Sequence, residues 1–238
     1  MKNYSVLAKY YDRFSHNDCD YESWSQYLCG VAKGCGAKLV ADVACGTGKM
    51  TSLLVKNGFS VVGVDSSAEM LQIASDKCRG ATFVRQDMRK LALPRQFDMI
   101  TVVNDGVNYL KPEELESFFA TVATNLQKGA PLVFDVSSPY KLTEVLGNNV
   151  FFFDCDEATL LWTNRARQNK VTLSLTLFER ENDKYVRYDE QHFQYVHTQN
   201  QLCSALENSG FSVVEITEYG KKLKSDSLRL TFFAKKRH

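Results

Sequence analysis

Asp42, Gly46, Gly48 and Asp65 are the residues whose types and spacing point to chemistry. Asp42 sits in the apolar run LVADV, the two glycines follow in ACGTGK, and Asp65 ends a second apolar run, FSVVGVD. Glycine carries no Cβ, so the backbone at 46 and 48 turns sharply and lets a ligand approach it. An ionised aspartate only accepts hydrogen bonds, and at position 65 it suits the paired hydroxyls of a ribose. Val40 and Val43, with the small Ala41 and Ala44, fit a strand covered on both faces. Strand, glycine loop, helix start, second strand and carboxylate together make a site for a nucleoside-bearing cofactor at the carboxyl ends of parallel strands.

The same residues discriminate between cofactors. A dinucleotide site uses G-x-G-x-x-G and leaves the helix N-terminus free for pyrophosphate. Here Thr51 stands at the third glycine position. Asp42 would repel a pyrophosphate but attract an ammonium group. S-adenosylmethionine, with an amino-acid end, a ribose, an adenine and no phosphate, fits better than a nicotinamide dinucleotide.

These sites need a framework, and the chain alternates as one would. Strands are expected at 38–43, 59–64, 81–85, 97–103 and 131–136, with helices at 48–57, 67–78 and 112–127. Ser66 or Ser67 caps the helix at 67–78, and Pro112 with Glu113 and Glu114 opens the one at 112–127. Such alternation means right-handed crossovers and a parallel sheet. Before it, residues 4–33 read as two helical pieces, with Tyr4, Leu7, Ala8 and Tyr11 on one face and Tyr21, Trp24, Leu28 and Val31 on another. From Phe151 to Val196 the period changes to two: Val171, Leu173, Leu175 and Leu177 alternate with Thr172, Ser174, Thr176 and Phe178. Further strands are expected at 151–153, 159–163 and 185–195, with turns at Gln168-Asn169 and Glu181-Asn182-Asp183. A helix at 199–208 and strands at 211–218 and 227–235 close the chain.

Several motifs carry a family resemblance. DVACGTG resembles the glycine-rich motif of class I S-adenosylmethionine-dependent methyltransferases, with Ala44 where many members have glycine. VVGVDSSAEML is similar to their second motif, and FVRQDMRKL to the acidic adenine-side motif at Asp87-Met88. FDMITVVNDGVNYL resembles the fourth strand with its substrate-facing loop. LQKGAPLVFDVSSP resembles the fifth strand, with Ala130 where a second glycine is common. The likeness extends over nearly the whole chain. It is greatest to bacterial small-molecule enzymes with an antiparallel insert, including sugar-amine N-methyltransferases and glycine N-methyltransferase-like proteins.

The resemblance implies an α/β fold: a Rossmann-like, seven-stranded, mostly parallel sheet with helices on both faces, plus a small antiparallel β insert after the fifth strand. Residues 1–148 and 197–238 would form the cofactor-binding core, 1–35 a helical lid, and 149–196 the insert over the substrate side. The expected cofactor contacts are Tyr11, Asp42, Ala44, Cys45, Gly46, Gly48, Asp65, Ser66, Met70, Asp87, Met88, Asn104 and Tyr109. Asp42 would meet the ammonium and Asp65 the ribose. Asp87 would accept from the adenine amine while the polarizable Met88 packs on its face. Asn104 would hold the methionyl end beneath Tyr11. Cys45 reads as a small side chain against the adenosine rather than a reactive thiol. Plainer alternatives remain: a turn role for Asp87, a core role for Met70 and Trp24.

Asp105, His192 and Tyr140 are the candidates for the acceptor side, where a base could take a proton from an amine. A surface-loop role for Asp105 and a structural role for His192 are the alternatives. The implied reaction moves a methyl group to a nitrogen or oxygen of a small molecule by in-line displacement, which demands alignment more than acid–base chemistry. The scattered histidines lack a metal-ligand spacing. An RNA or protein methyltransferase, or a cofactor-binding module without turnover, are the competing readings.

Composition narrows the partners. The 238 residues carry a net charge of +1, which gives no electrostatic ground for a nucleic-acid partner. Seven cysteines without a C-x-x-C pair indicate neither a disulfide framework nor a zinc site. No apolar run is long enough to span a membrane. A small-molecule acceptor, a cytoplasmic setting and a monomer or homodimer are expected.

Overall fold

A computed structural model describes residues 6–15 and 19–237. Tyr4, expected on the first helical face, lies outside them. Five strands form a parallel set: β1 (Leu39–Val43), β2 (Ser60–Asp65), β3 (Thr82–Arg85), β4 (Met99–Val102) and β5 (Pro131–Ser137). β10 (Phe211–Thr217) and β11 (Arg229–Lys236) extend it, with β11 antiparallel to both β5 and β10. The seven strands run β3-β2-β1-β4-β5-β11-β10. Strand order reverses between β2-β1 and β4, which opens a crevice at their carboxyl ends.

Both faces of the sheet are covered. On one lie α5 (Leu115–Asn125) and α6 (Gln199–Asn208), where Phe118 and Phe119 of α5 join Phe134 and Phe232 of the sheet, the last two rings stacked at 4.9 Å. On the other, α2 (Tyr21–Gly34) and α3 (Lys49–Lys56) bury Trp24, Leu28 and Leu54 against Val40, Met99 and Val133. Trp24 is therefore core; its ring lies 5.0 Å from Tyr219. α4 (Ala68–Lys77) follows β2 and starts at Ser67, whose side chain accepts from Met70 N at 3.1 Å. Of the two serines considered, Ser67 is the cap because only its side chain reaches a first-turn donor.

The second sheet is an antiparallel meander of β6 (Val150–Cys155), β7 (Ala158–Arg167), β8 (Lys170–Glu181) and β9 (Lys184–Tyr195). The strands are longer than the alternation indicated, since polar outward residues such as Arg165 and Arg187 still pair. Its inner face seats Val171 and Leu173 on Leu142 and Leu146. Those two leucines belong to a π-turn, Lys141–Leu146, which sequence periodicity did not reveal. The turn stops at Gly147, where a Cβ would collide with the Thr143 carbonyl oxygen.

The N-terminal stretch is less regular than its spacing suggests. Instead of one helix, a 3-10 turn at Leu7–Lys9 is followed by the single-turn α1 (Tyr11–Phe14). The resulting strap buries Leu7 and Tyr10 against Ala158, Leu160, Leu175 and Leu177 of the second sheet. Likewise, the helix expected from 112 begins as a 3-10 turn, Pro112–Glu114, with Glu114 Oε2 accepting from Lys111 N at 2.8 Å.

Candidate active site

A cavity of about 540 Å³ opens at the carboxyl ends of β1, β2 and β4. Its floor is the glycine loop. Ala44, Gly46 and Gly48 all have positive φ, at 58°, 53° and 73°. The two glycines adopt this conformation freely, whereas Ala44 carries a Cβ into it. At Gly48 the constraint is also spatial, because a Cβ would sit 2.9 Å from Ala74 Cβ. The loop thus bends onto α4 with no room for a side chain.

Asp65 stands at the cavity wall with its carboxylate fixed by backbone. Oδ2 accepts from Gly46 N and Oδ1 from Ser67 N, both at 2.9 Å. Burial raises its pKa, and these backbone donors oppose the rise. Each oxygen keeps a lone pair for a ligand hydroxyl, and the carboxylate cannot rotate away.

Asp42 lies one layer deeper. It is fully buried, and Oδ2 accepts from Thr51 Oγ1 at 2.5 Å. Among the described residues, Oδ1 finds no hydrogen-bond partner. Burial pushes its pKa up to about 7, with the Thr51 hydroxyl opposing and Asp65 adding to the rise. A buried acceptor without a donor is costly in isolation, which marks the position for a cationic or protonated partner. Cys45 is also buried, and desolvation with Asp42 and Asp65 nearby lifts its thiol well above the ordinary range. That thiol stays protonated and unreactive at neutral pH.

Met70, Asp87 and Met88, the residues expected near an adenine, line the cavity. Asp87 is held by Arg89, which donates to Oδ1 at 2.9 Å and to Oδ2 at 2.6 Å. These bonds lower the Asp87 pKa. Arg89 was not anticipated, although FVRQDMRKL places it two residues after the acid and in reach.

The opposite side is built from the loop after β4. Asn104 and Asp105 both take left-handed backbone, φ 59° and 68°. Asn104 N donates to Asp135 Oδ1 at 2.6 Å, and Asn104 Nδ2 donates to Tyr11 Oη at 3.0 Å. The strap is tied on both flanks. Asp12 accepts from Thr47 Oγ1 at 2.7 Å and pairs with Lys77, while Glu179 accepts from Tyr10 Oη at 2.7 Å. Glu190 Oε1 accepts from Val6 N at 3.2 Å. The second sheet adds Phe193 and Tyr195 to the wall, which Tyr109 also lines.

Ten of the thirteen expected cofactor residues line this cavity: Tyr11, Ala44, Gly46, Asp65, Ser66, Met70, Asp87, Met88, Asn104 and Tyr109. Asp42, Cys45 and Gly48 stand behind them. None of the three acceptor-side candidates lines it. Asp105 is turned inward and ion-paired with Arg229, so its carboxylate is already engaged. His192 is 1% exposed; its Nε2 lies 3.2 Å from Glu190 Oε2 and its ring is edge-on to Tyr109. Tyr140 is 40% exposed at the entry to the π-turn. Among the described residues no group of three or more His, Cys, Asp or Glu side chains is arranged to hold a metal ion.

Comparison with known proteins identifies the fold and the cofactor. A family profile described as a methyltransferase domain matches residues 40–129. A putative methyltransferase of Geobacillus sp. (strain WCH70) is 33% identical over 98% of this chain and 99% of its own length. The chain belongs to the class I S-adenosylmethionine-dependent methyltransferases. The crystal structure of an S-adenosylmethionine-dependent methyltransferase from Clostridium acetobutylicum superposes with a TM-score of 0.89 at 30% identity, covering all of both chains. The methyltransferase is also 34% identical to dTDP-3-amino-3,4,6-trideoxy-alpha-D-glucopyranose N,N-dimethyltransferase of Streptomyces venezuelae, over 42% of each chain. It uses S-adenosylmethionine. Among the described residues no helix is long and apolar enough to cross a membrane.

Proposed function

We propose that this methyltransferase acts on a nitrogen or oxygen of a small-molecule acceptor. One observation carries the reading: the second sheet, through Phe193 and Tyr195, helps to wall the cofactor cavity together with the strap residue Tyr11. Such a chamber suits a small acceptor better than a folded macromolecule. The likeness to an amino-sugar N,N-dimethyltransferase supports the same class. The seven free thiols fit a reducing, cytoplasmic setting.

S-adenosylmethionine supplies a methyl group activated by its sulfonium. The residues of the chain do the rest. Asp65, locked by Gly46 N and Ser67 N, accepts from the ribose hydroxyls. Met70 and Met88 flank the adenine, with Asp87 at its edge. Asp42 balances the ammonium, directly or through a water, which would give its unpartnered oxygen a donor. Asn104 meets the methionyl end, and Tyr11 closes over it. Tyr109, Phe193 and Tyr195 exclude water and restrict the acceptor's approach. Asp105, paired with Arg229, serves the loop rather than the proton transfer.

The test incubates the purified enzyme with methyl-labelled S-adenosylmethionine and three acceptor pools: amino sugars and amino acids, total RNA, and cell protein. Label in a small product is expected. Label confined to RNA or protein, or no transfer from a cofactor that demonstrably binds, refutes the proposal.

A further inference from the structure

We infer that Arg229 is a positioning residue for the methionyl end of the cofactor, acting through the side-chain amide of Asn104. The inference rests on the placement of that end at Asn104 proposed above. Arg229 lies on β11, outside every cofactor motif, and is 2% exposed. Its guanidinium fork reaches three side chains behind the site. Nη1 donates to Asp135 Oδ2 at 2.6 Å and pairs with Asp105, and Nη2 donates to Asn104 Oδ1 at 3.0 Å. Asp135 Oδ1 in turn accepts from the Asn104 backbone N at 2.6 Å.

This network fixes an otherwise ambiguous group. An amide side chain can present either its oxygen or its NH₂ to a neighbour. Arg229 is donor-only, so it claims Asn104 Oδ1 and turns Nδ2 toward the cavity, where it donates to Tyr11 Oη. The planar fork also holds two consecutive non-glycine residues, Asn104 and Asp105, in left-handed backbone. Without it, the carboxylates of Asp105 and Asp135 would face each other uncompensated in a buried place, and the loop would lose its reason to stay bent. A lysine supplies the charge as a point but cannot bridge both targets with the same geometry.

The test separates ends of the ligand. S-adenosylhomocysteine carries the amino-acid end, and 5′-methylthioadenosine lacks it. Calorimetry measures both on wild type, Arg229→Gln, Arg229→Lys and Asn104→Ala, with melting curves to establish folding. The expected result is a loss of about tenfold or more for S-adenosylhomocysteine in all three variants, with 5′-methylthioadenosine within about twofold of wild type. Equal losses for both ligands, or no loss in the Arg229 variants while Asn104→Ala is impaired, overturn the role of Arg229. An unimpaired Asn104→Ala overturns the placement of the methionyl end, and the inference with it. If neither Arg229 variant folds, a crystal structure of the wild-type S-adenosylhomocysteine complex decides. Arg229 bonded to Asn104 Oδ1, with the amide facing the amino-acid end, upholds the inference; a broken bond overturns it.

Discussion

Substituting Asp42 by Asn should stabilise the ligand-free protein while weakening its grip on the cofactor. The carboxyl moves from 3.8 in the unfolded chain to about 7 in the fold, mainly through burial. The folded state therefore holds this proton more tightly, and the unfolded state loses it first as pH rises. Wild-type stability is highest below pH 4 in this respect, declines between about pH 4 and 7, and then levels off. A shift of that size corresponds to a ceiling of about 4 kcal/mol. Asparagine is nearly isosteric, keeps an oxygen for Thr51 Oγ1 and carries no charge. Even half of the ceiling raises Tm by about 4–8 °C at pH 8 in a chain of this size, with little difference at pH 4. Binding moves the other way. The ammonium needs the ionised form, so wild-type affinity for S-adenosylhomocysteine should tighten from pH 6 to 8, with a proton released in calorimetry. Asp42→Asn should be weaker and lack that slope. Equal melting of the two proteins at pH 8, or the same pH slope in both, would refute the electrostatic account of this buried acid.

Asp65→Ala removes a carboxylate that two backbone donors hold in place; S-adenosylhomocysteine affinity should fall by roughly 1.5–3 kcal/mol, and unchanged calorimetric affinity in the folded variant would rule out the ribose assignment. Gly48→Ala forces a side chain into φ 73° and to 2.9 Å from Ala74 Cβ, so chemical denaturation should show a loss of about 2–4 kcal/mol. Ala44→Gly relieves positive φ without making a contact, and should shift stability by no more than about 1 kcal/mol; a large loss there would mean that the Cβ packs productively.

The gathering of the expected cofactor residues around one cavity was legible because it is local. Asp42, the glycine loop and Asp65 lie within 24 residues, and strand periodicity places them at adjacent strand ends. The placement of the expected acceptor-side residues was not, because it depends on distant pairs. Asp105 looked like a free acid in a loop until Arg229, 124 residues later, claimed it. His192 stands opposite Leu173 in the β8–β9 register, so it shares the buried face. The alternation of Val171, Leu173 and Leu175 could have indicated this had the register been known. The π-turn that follows Tyr140 has no periodic signature, since its i→i+5 bonding matches neither the helix nor the strand template.

The strap has a consequence for how the molecule is made. Its backbone reaches Glu190 across 184 residues, and two further anchors toward the second sheet, Lys9 to Glu179 and Arg13 to Glu157, span 170 and 144 residues. The strap thus leaves the ribosome well before these moorings, although its ties to Thr47, Lys77 and Asn104 come sooner. Closing so large a loop is slow and comes after local structure has condensed. A nascent chain cut before β9 would own the glycine loop and Asp65 yet lack Phe193, Tyr195 and the Glu190 mooring that complete the pocket wall.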